Sequence, residues 1–76
     1  MSAKELRNFI TQGYTMLYFQ YGGKEGHVDP YSHFEYLLWY DGNAKLVHSI
    51  NEVMDTPFFD GHSLAEIADK LTDVDW

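Results

Sequence analysis

Phe34-Glu35-Tyr36-Leu37-Leu38-Trp39-Tyr40-Asp41-Gly42-Asn43-Ala44-Lys45-Leu46-Val47-His48 is the stretch that decides how this chain is read. Residues 34–40 are dominated by aromatic and apolar β-formers, and 44–48 make a second, shorter run of the same kind. Asp41-Gly42-Asn43 between them tolerates the positive φ of a tight turn, so the whole predicts a β-hairpin. Upstream, Tyr14-Thr15-Met16-Leu17-Tyr18-Phe19-Gln20-Tyr21 has the same composition and predicts a further strand. The intervening residues 22–33 hold Gly22, Gly23, Gly26 and Pro30 and read as a flexible loop.

On either side of this β region the periodicity changes. Ser2/Glu5, Ser49/Glu52 and Ser63/Glu66 each place a glutamate three residues after a serine, the spacing that lets both side chains bond backbone N–H groups at a helix start. Leu6, Phe9 and Ile10 follow the first, Ile50, Val53 and Met54 the second, and Leu64, Ile67, Ala68 and Leu71 the third, all at helical spacing. Gly13 marks the end of the first helix as a left-handed C′ residue, and Thr56-Pro57 closes the second. The third runs into an acidic tail.

The expected fold is therefore α+β, a three-stranded antiparallel meander with helices on one face and the order α-β-β-β-α-α. Strand alternation assigns Leu17, Phe19, Leu37, Trp39 and Val47 to the core face. It sends Tyr18, Gln20, Tyr36, Leu38, Tyr40, Leu46 and His48 to the other face, which is rich in tyrosine where an ordinary solvated surface carries charge. Tyrosine can bury its ring while the hydroxyl keeps a partner, so this face is a candidate docking surface. Cross-strand pairing of aromatic rings on an exposed sheet is the plainer account of the same pattern.

At 76 residues the chain has room for one core, hence a single domain spanning 1–76. It has no cysteine, which excludes a disulfide staple, thiolate metal sites and cysteine nucleophiles; an aromatic content of 17% supplies the apolar area a small core needs. The N-terminal residues lack a signal-peptide pattern and no apolar run approaches the ~20 residues of a bilayer span, so a soluble, cytoplasmic protein is expected.

The net charge of −7 is unevenly placed: residues 1–51 carry five acids and four bases, residues 52–76 seven acids and one base. Such a surface repels phosphate backbones and anionic lipid, which argues against direct nucleic-acid or membrane binding. It favours solubility or a basic patch on a protein partner.

Candidate chemistry is sparse. Glu25, His27, Asp29 and His33 are ligand types for zinc or a similar divalent ion, but no HExxH, EF-hand or His/Cys array is present, and solvated loop polarity accounts for them. His48 and His62 precede serine caps. Gly22-Gly23-Lys24-Glu25-Gly26 leads toward a strand rather than a helix N-terminus and does not make a phosphate loop. Asp69, Asp73 and Asp75 fall at the end of the last helix, where negative charge opposes the macrodipole, and Trp76 is expected to dock back on the core. Phe58 and Phe59 read as plugs sealing the helices onto the sheet.

No catalytic residue and no cofactor are expected. The candidate partner-binding residues are Tyr18, Tyr36, Leu38, Tyr40, Asp69 and Asp73, serving a protein partner or self-association. A nucleic-acid mimic built on the C-terminal acids and a metal-dependent or His-assisted enzyme built on 22–33 are the competing readings. The hairpin Tyr40-Asp41-Gly42-Asn43, the segment Ile50-Asn51-Glu52-Val53-Met54 and the string Pro57-Phe58-Phe59-Asp60-Gly61-His62-Ser63-Leu64 resemble small proteins carried by bacterial conjugative transposons. The resemblance runs from about residue 14 onward and implies an accessory role; its motifs are structural and carry no known catalytic residue.

Overall fold

Three pairs of consecutive residues with positive φ reverse the chain: Gly22 (60°) and Gly23 (77°), Asp41 (48°) and Gly42 (84°), Asp60 (58°) and Gly61 (80°). Positive φ at both central positions gives the turn whose twist matches that of paired strands, and glycine reaches it without steric cost. In the computed structural model, which describes residues 1–13 and 16–75, the first two pairs close hairpins. Gly22-Gly23 joins β1 (Leu17–Tyr21) to β2 (Lys24–Ser32), and Asp41-Gly42 joins β3 (Glu35–Tyr40) to β4 (Asn43–Val47). The third pair closes a miniature hairpin in which Phe59 and His62 exchange backbone hydrogen bonds of 3.0 and 3.1 Å.

The sheet of the described residues has five antiparallel strands in the order β4-β3-β2-β1-β5, the last being β5 (Thr72–Asp75). The α+β class matches the expectation; the strand count does not. Residues 22–33 are not a loop. They contain β2, nine residues long and hydrogen-bonded on both sides. Its unfavourable residues each have a local reason. Gly26 sits beneath two rings: a Cβ there would lie 2.6 Å from Phe19 Cε2 and 3.2 Å from Tyr40 Cδ1, so only glycine lets those rings cross the strand. Pro30 lies beyond the last described pair of β1, Leu17 with Val28, and among the described residues pairs only with Tyr36 of β3.

The serine caps form as expected. Ser2 Oγ accepts from Glu5 N–H (3.1 Å) while the Glu5 carboxylate accepts from Ser2 N–H (3.0 Å), opening α1 (Ala3–Gly13). Ser49 Oγ accepts from Glu52 N–H at the start of α2 (Ile50–Asp55), and Ser63 and Glu66 complete a reciprocal box at α3 (Leu64–Ile67). α3 is shorter than its apolar spacing suggests: one turn of 3₁₀ helix, Ala68–Lys70, follows it, and the chain then extends into β5. The acidic segment is thus an edge strand, not a helix end. Trp76, expected to dock on the core, lies outside the described residues, as do Tyr14 and Thr15 of the first predicted strand.

All three helices pack on one face of the sheet. Leu6 and Ile10 of α1, Val53 and Met54 of α2, and Leu64 and Ile67 of α3 meet Leu17, Phe19, Val28, Tyr36, Leu38, Tyr40 and Val47 in one buried cluster, with Phe59 at its centre. The Phe59 ring stands edge-on to Phe19 (5.6 Å) and Tyr40 (5.7 Å), confirming its place as a plug.

One assignment of faces is reversed. Tyr36, Leu38 and Tyr40 belong to the core, and Leu37 and Trp39 face away from the helices. The two-residue turn fixes the reason: Tyr40 pairs with Asn43, so Tyr36 must pair with Val47 and share its buried face. No helix among the described residues is long and apolar enough to cross a membrane.

Candidate functional site

Antiparallel register brings the helix-free side chains into rows. Tyr18 of β1 lies opposite His27 of β2, and His27 lies opposite Trp39 of β3. The three rings form a layer: His27 stacks on Trp39 with centroids 5.1 Å apart and planes 17° apart, and Tyr18 tilts against the other side of His27 at 5.4 Å. Leu37 pairs with Leu46 beside this layer, Leu46 being exposed.

β5 closes one side. Gln20 pairs with Thr72 and Tyr18 with Asp75, so β5 spends one more residue than β1 over the same span, and Asp73 takes a φ of 50°. The extra residue is a β-bulge. With regular pairing Val74 would stand beside Tyr18 and Asp73 would turn toward the helices. The bulge instead lets Val74 pack on the core cluster while Asp73 and Asp75 both line the open side.

The result is a cavity of about 450 Å³, floored by Tyr18, His27 and Trp39 and bounded by Gln20, Glu25, Asp73 and Asp75. Its volume falls within the range of ligand pockets, about 300–1,000 Å³. Among the described residues three carboxylates and no lysine or arginine line it. Lys24, next to Glu25 in sequence, is engaged at 3.6 Å by Asp41 of the β3–β4 turn and lies 5.9 Å from the Tyr40 ring. The carboxylates of its walls favour positive charge. His27 Nδ1 is buried without a hydrogen-bond partner among the described residues, in a protein whose other features follow the rule that buried polar atoms are paired.

No family model, curated protein or solved structure matches this chain.

Of the residues picked from sequence, Tyr18 and Asp73 meet at this cavity. Tyr36, Leu38 and Tyr40 do not: they are buried beneath the helices, and Tyr40 donates its hydroxyl to the Tyr21 carbonyl at 2.8 Å. Burial pushes the Tyr40 hydroxyl pKa up. Asp69 is exposed on the 3₁₀ turn and is not among the lining residues.

The metal candidates are strung out along β2. Glu25, His27 and Asp29 alternate onto one face about 7 Å apart along the strand, and His33 lies past its end at the turn into β3. Among the described residues no group of three or more such side chains is close enough to hold a metal. His48 Nδ1 lies 3.3 Å from the Phe34 carbonyl, and His62 Nδ1 lies 3.6 Å from Glu66 Oε2, both local to turns or caps. Sequence reasoning missed Trp39 and Leu37 as surface residues because both parities of β3 are apolar and alternation alone does not choose between them.

Proposed function

We propose that this chain is a small acidic binding module that engages a protein partner, or a second copy of itself, through the sheet face its helices leave open. The observation that carries this reading is the layer Tyr18–His27–Trp39, continued by Leu37 and Leu46, on the side of the sheet opposite the helices. An antiparallel sheet with one solvated face ordinarily alternates to charged or hydroxyl side chains. Aromatic residues gathered on such a face are the composition of a protein interface core. The acidic rim from Glu25, Asp73 and Asp75 adds selectivity for a partner of opposite charge.

A photo-crosslinking amino acid at position 37 or 46 tests this, compared with the same group at Asn8 or Glu52 on the helical side. Run in a lysate of the source cells, the open-face positions are expected to yield discrete adducts that the helical positions do not. An adduct of twice the chain's mass identifies self-association. Equal labelling from both sides, or none from either, removes the proposal.

A further inference from the structure

We infer that the cavity between β1, β2, β3 and β5 receives the guanidinium of an arginine in an extended segment of a protein partner. The inference rests on the open face being a docking surface, and it names what that surface selects. Three features of the cavity converge on this group. Tyr18, at the β5 end of the ring layer, is exposed beside Asp73 and Asp75, and a planar, weakly hydrated guanidinium stacks on an aromatic ring better than a compact ammonium does. The rim carries Glu25 from one side and Asp73 and Asp75 from the other, placed by the bulge in β5, so a fork of N–H donors finds carboxylates on both sides. Among the described residues no lysine or arginine lines the cavity to neutralise them.

The surroundings favour a peptide over a free small cation. Leu37 lies two residues from Trp39 on the same face and pairs with exposed Leu46, giving an apolar shelf one strand repeat, about 7 Å, from the cavity floor. An extended peptide places alternate side chains at that same spacing. It can therefore seat an arginine among the carboxylates and an apolar residue two positions away on the shelf. The wider field of the C-terminal third, seven acids against one base, would draw in a basic segment before contact.

The test uses the full chain and the blocked peptide acetyl-Gly-Leu-Ser-Arg-Ser-Leu-Gly-amide, followed by calorimetry and by side-chain NMR shifts of Tyr18, His27 and Trp39. Saturable binding is expected, with shifts concentrated on those three rings. It should weaken at least tenfold when citrulline, the neutral isostere, replaces arginine, and less when lysine does. The variant carrying Glu25→Gln with Asp75→Asn should lose a similar factor while its thermal midpoint stays close to wild type, since both side chains are exposed. Arginine amide alone should bind much more weakly than the peptide; equal affinity would make the site one for a free cation and overturn the peptide assignment. Equal binding of arginine and citrulline peptides, with shifts still at the rings, overturns the guanidinium but leaves the docking face standing. Shifts confined to the helical side overturn both. Failure of the arginine peptide to bind at millimolar concentration overturns the inference while the crosslinking result decides the docking face separately.

Discussion

Gly26 and His27 sit side by side on the central strand and break opposite rules. Gly26 is a residue that strands disfavour, held because the Phe19 and Tyr40 rings occupy the space a side chain would need. Gly26→Ala is expected to force those packed rings aside and to cost about 1–3 kcal/mol, the range for overpacking a core, read as a lower urea midpoint at unchanged slope. His27 is partly buried between two rings with Nδ1 unpaired, where phenylalanine would keep the stacking and remove the orphaned atom. His27→Phe is expected to stabilise the fold by about 1 kcal/mol, within the cost of an unsatisfied buried group. A stability gain accompanied by weaker binding would mark His27 as retained for recognition; a stability loss would show that the imidazole has an unrecognised structural partner.

At the scale of elements, short helices depend on their caps. α3 is one turn long, and the Ser63–Glu66 box supplies donors and acceptors its own backbone lacks. Ser63→Ala is expected to cost about 1 kcal/mol and to speed amide exchange at Glu66 and Ile67 first. The Glu66 carboxylate, accepting from the Ser63 backbone N–H and then its side chain, is held below the usual 4.5. A lowered carboxylate pKa means the unfolded chain takes up the proton first as pH falls. The contribution of this cap is therefore complete above pH 4.5 and declines below it as the folded-state value is passed. Glu5 at α1 behaves alike through its bond from the Ser2 backbone N–H. Glu66→Gln should flatten the acid limb of a stability–pH profile while leaving the neutral region nearly unchanged; an unaltered acid limb would contradict the assignment. The bulge in β5 is a second element-scale device, since removing Asp73 would restore regular pairing with Val74 opposite Phe19 on the core face and Asp75 opposite Tyr18, and would leave the cavity one acid short.

Across the whole molecule, the helices cover one side of the sheet and the edges are β4 and β5. β2 lies at the centre, paired on both sides. In hydrogen exchange the amides of His27 and Val28 are expected to be among the slowest, approaching the global unfolding free energy, whereas those of β5 exchange by local opening. Fast exchange throughout 24–32 would return the segment to the loop its glycines suggest. The asymmetry of charge belongs to this scale too. A rim charge mainly sets association rate and salt dependence, so binding through the cavity should weaken as ionic strength rises, in step with the shortening Debye length.

The helix starts, the Asp41-Gly42 hairpin and the three-helices-on-one-face arrangement were all legible in the chain, because caps and two-residue turns are local chemistry that needs only neighbours in sequence. The face of β3 was also within reach: a two-residue turn pairs Tyr40 with Asn43 and so Tyr36 with Val47, but a strand apolar at every position hides that register from alternation alone. β2 was not legible. Its glycines and proline look like a loop until Phe19 and Tyr40, distant in sequence, are seen to need the space above Gly26, and until β3 is seen to pair along it past Pro30. The cavity belongs wholly to the tertiary structure. Its rings come from three strands and two of its acids from a bulged edge strand at the other end of the chain, and only long-range pairing, paid for by burial of the common core, sets them against one another.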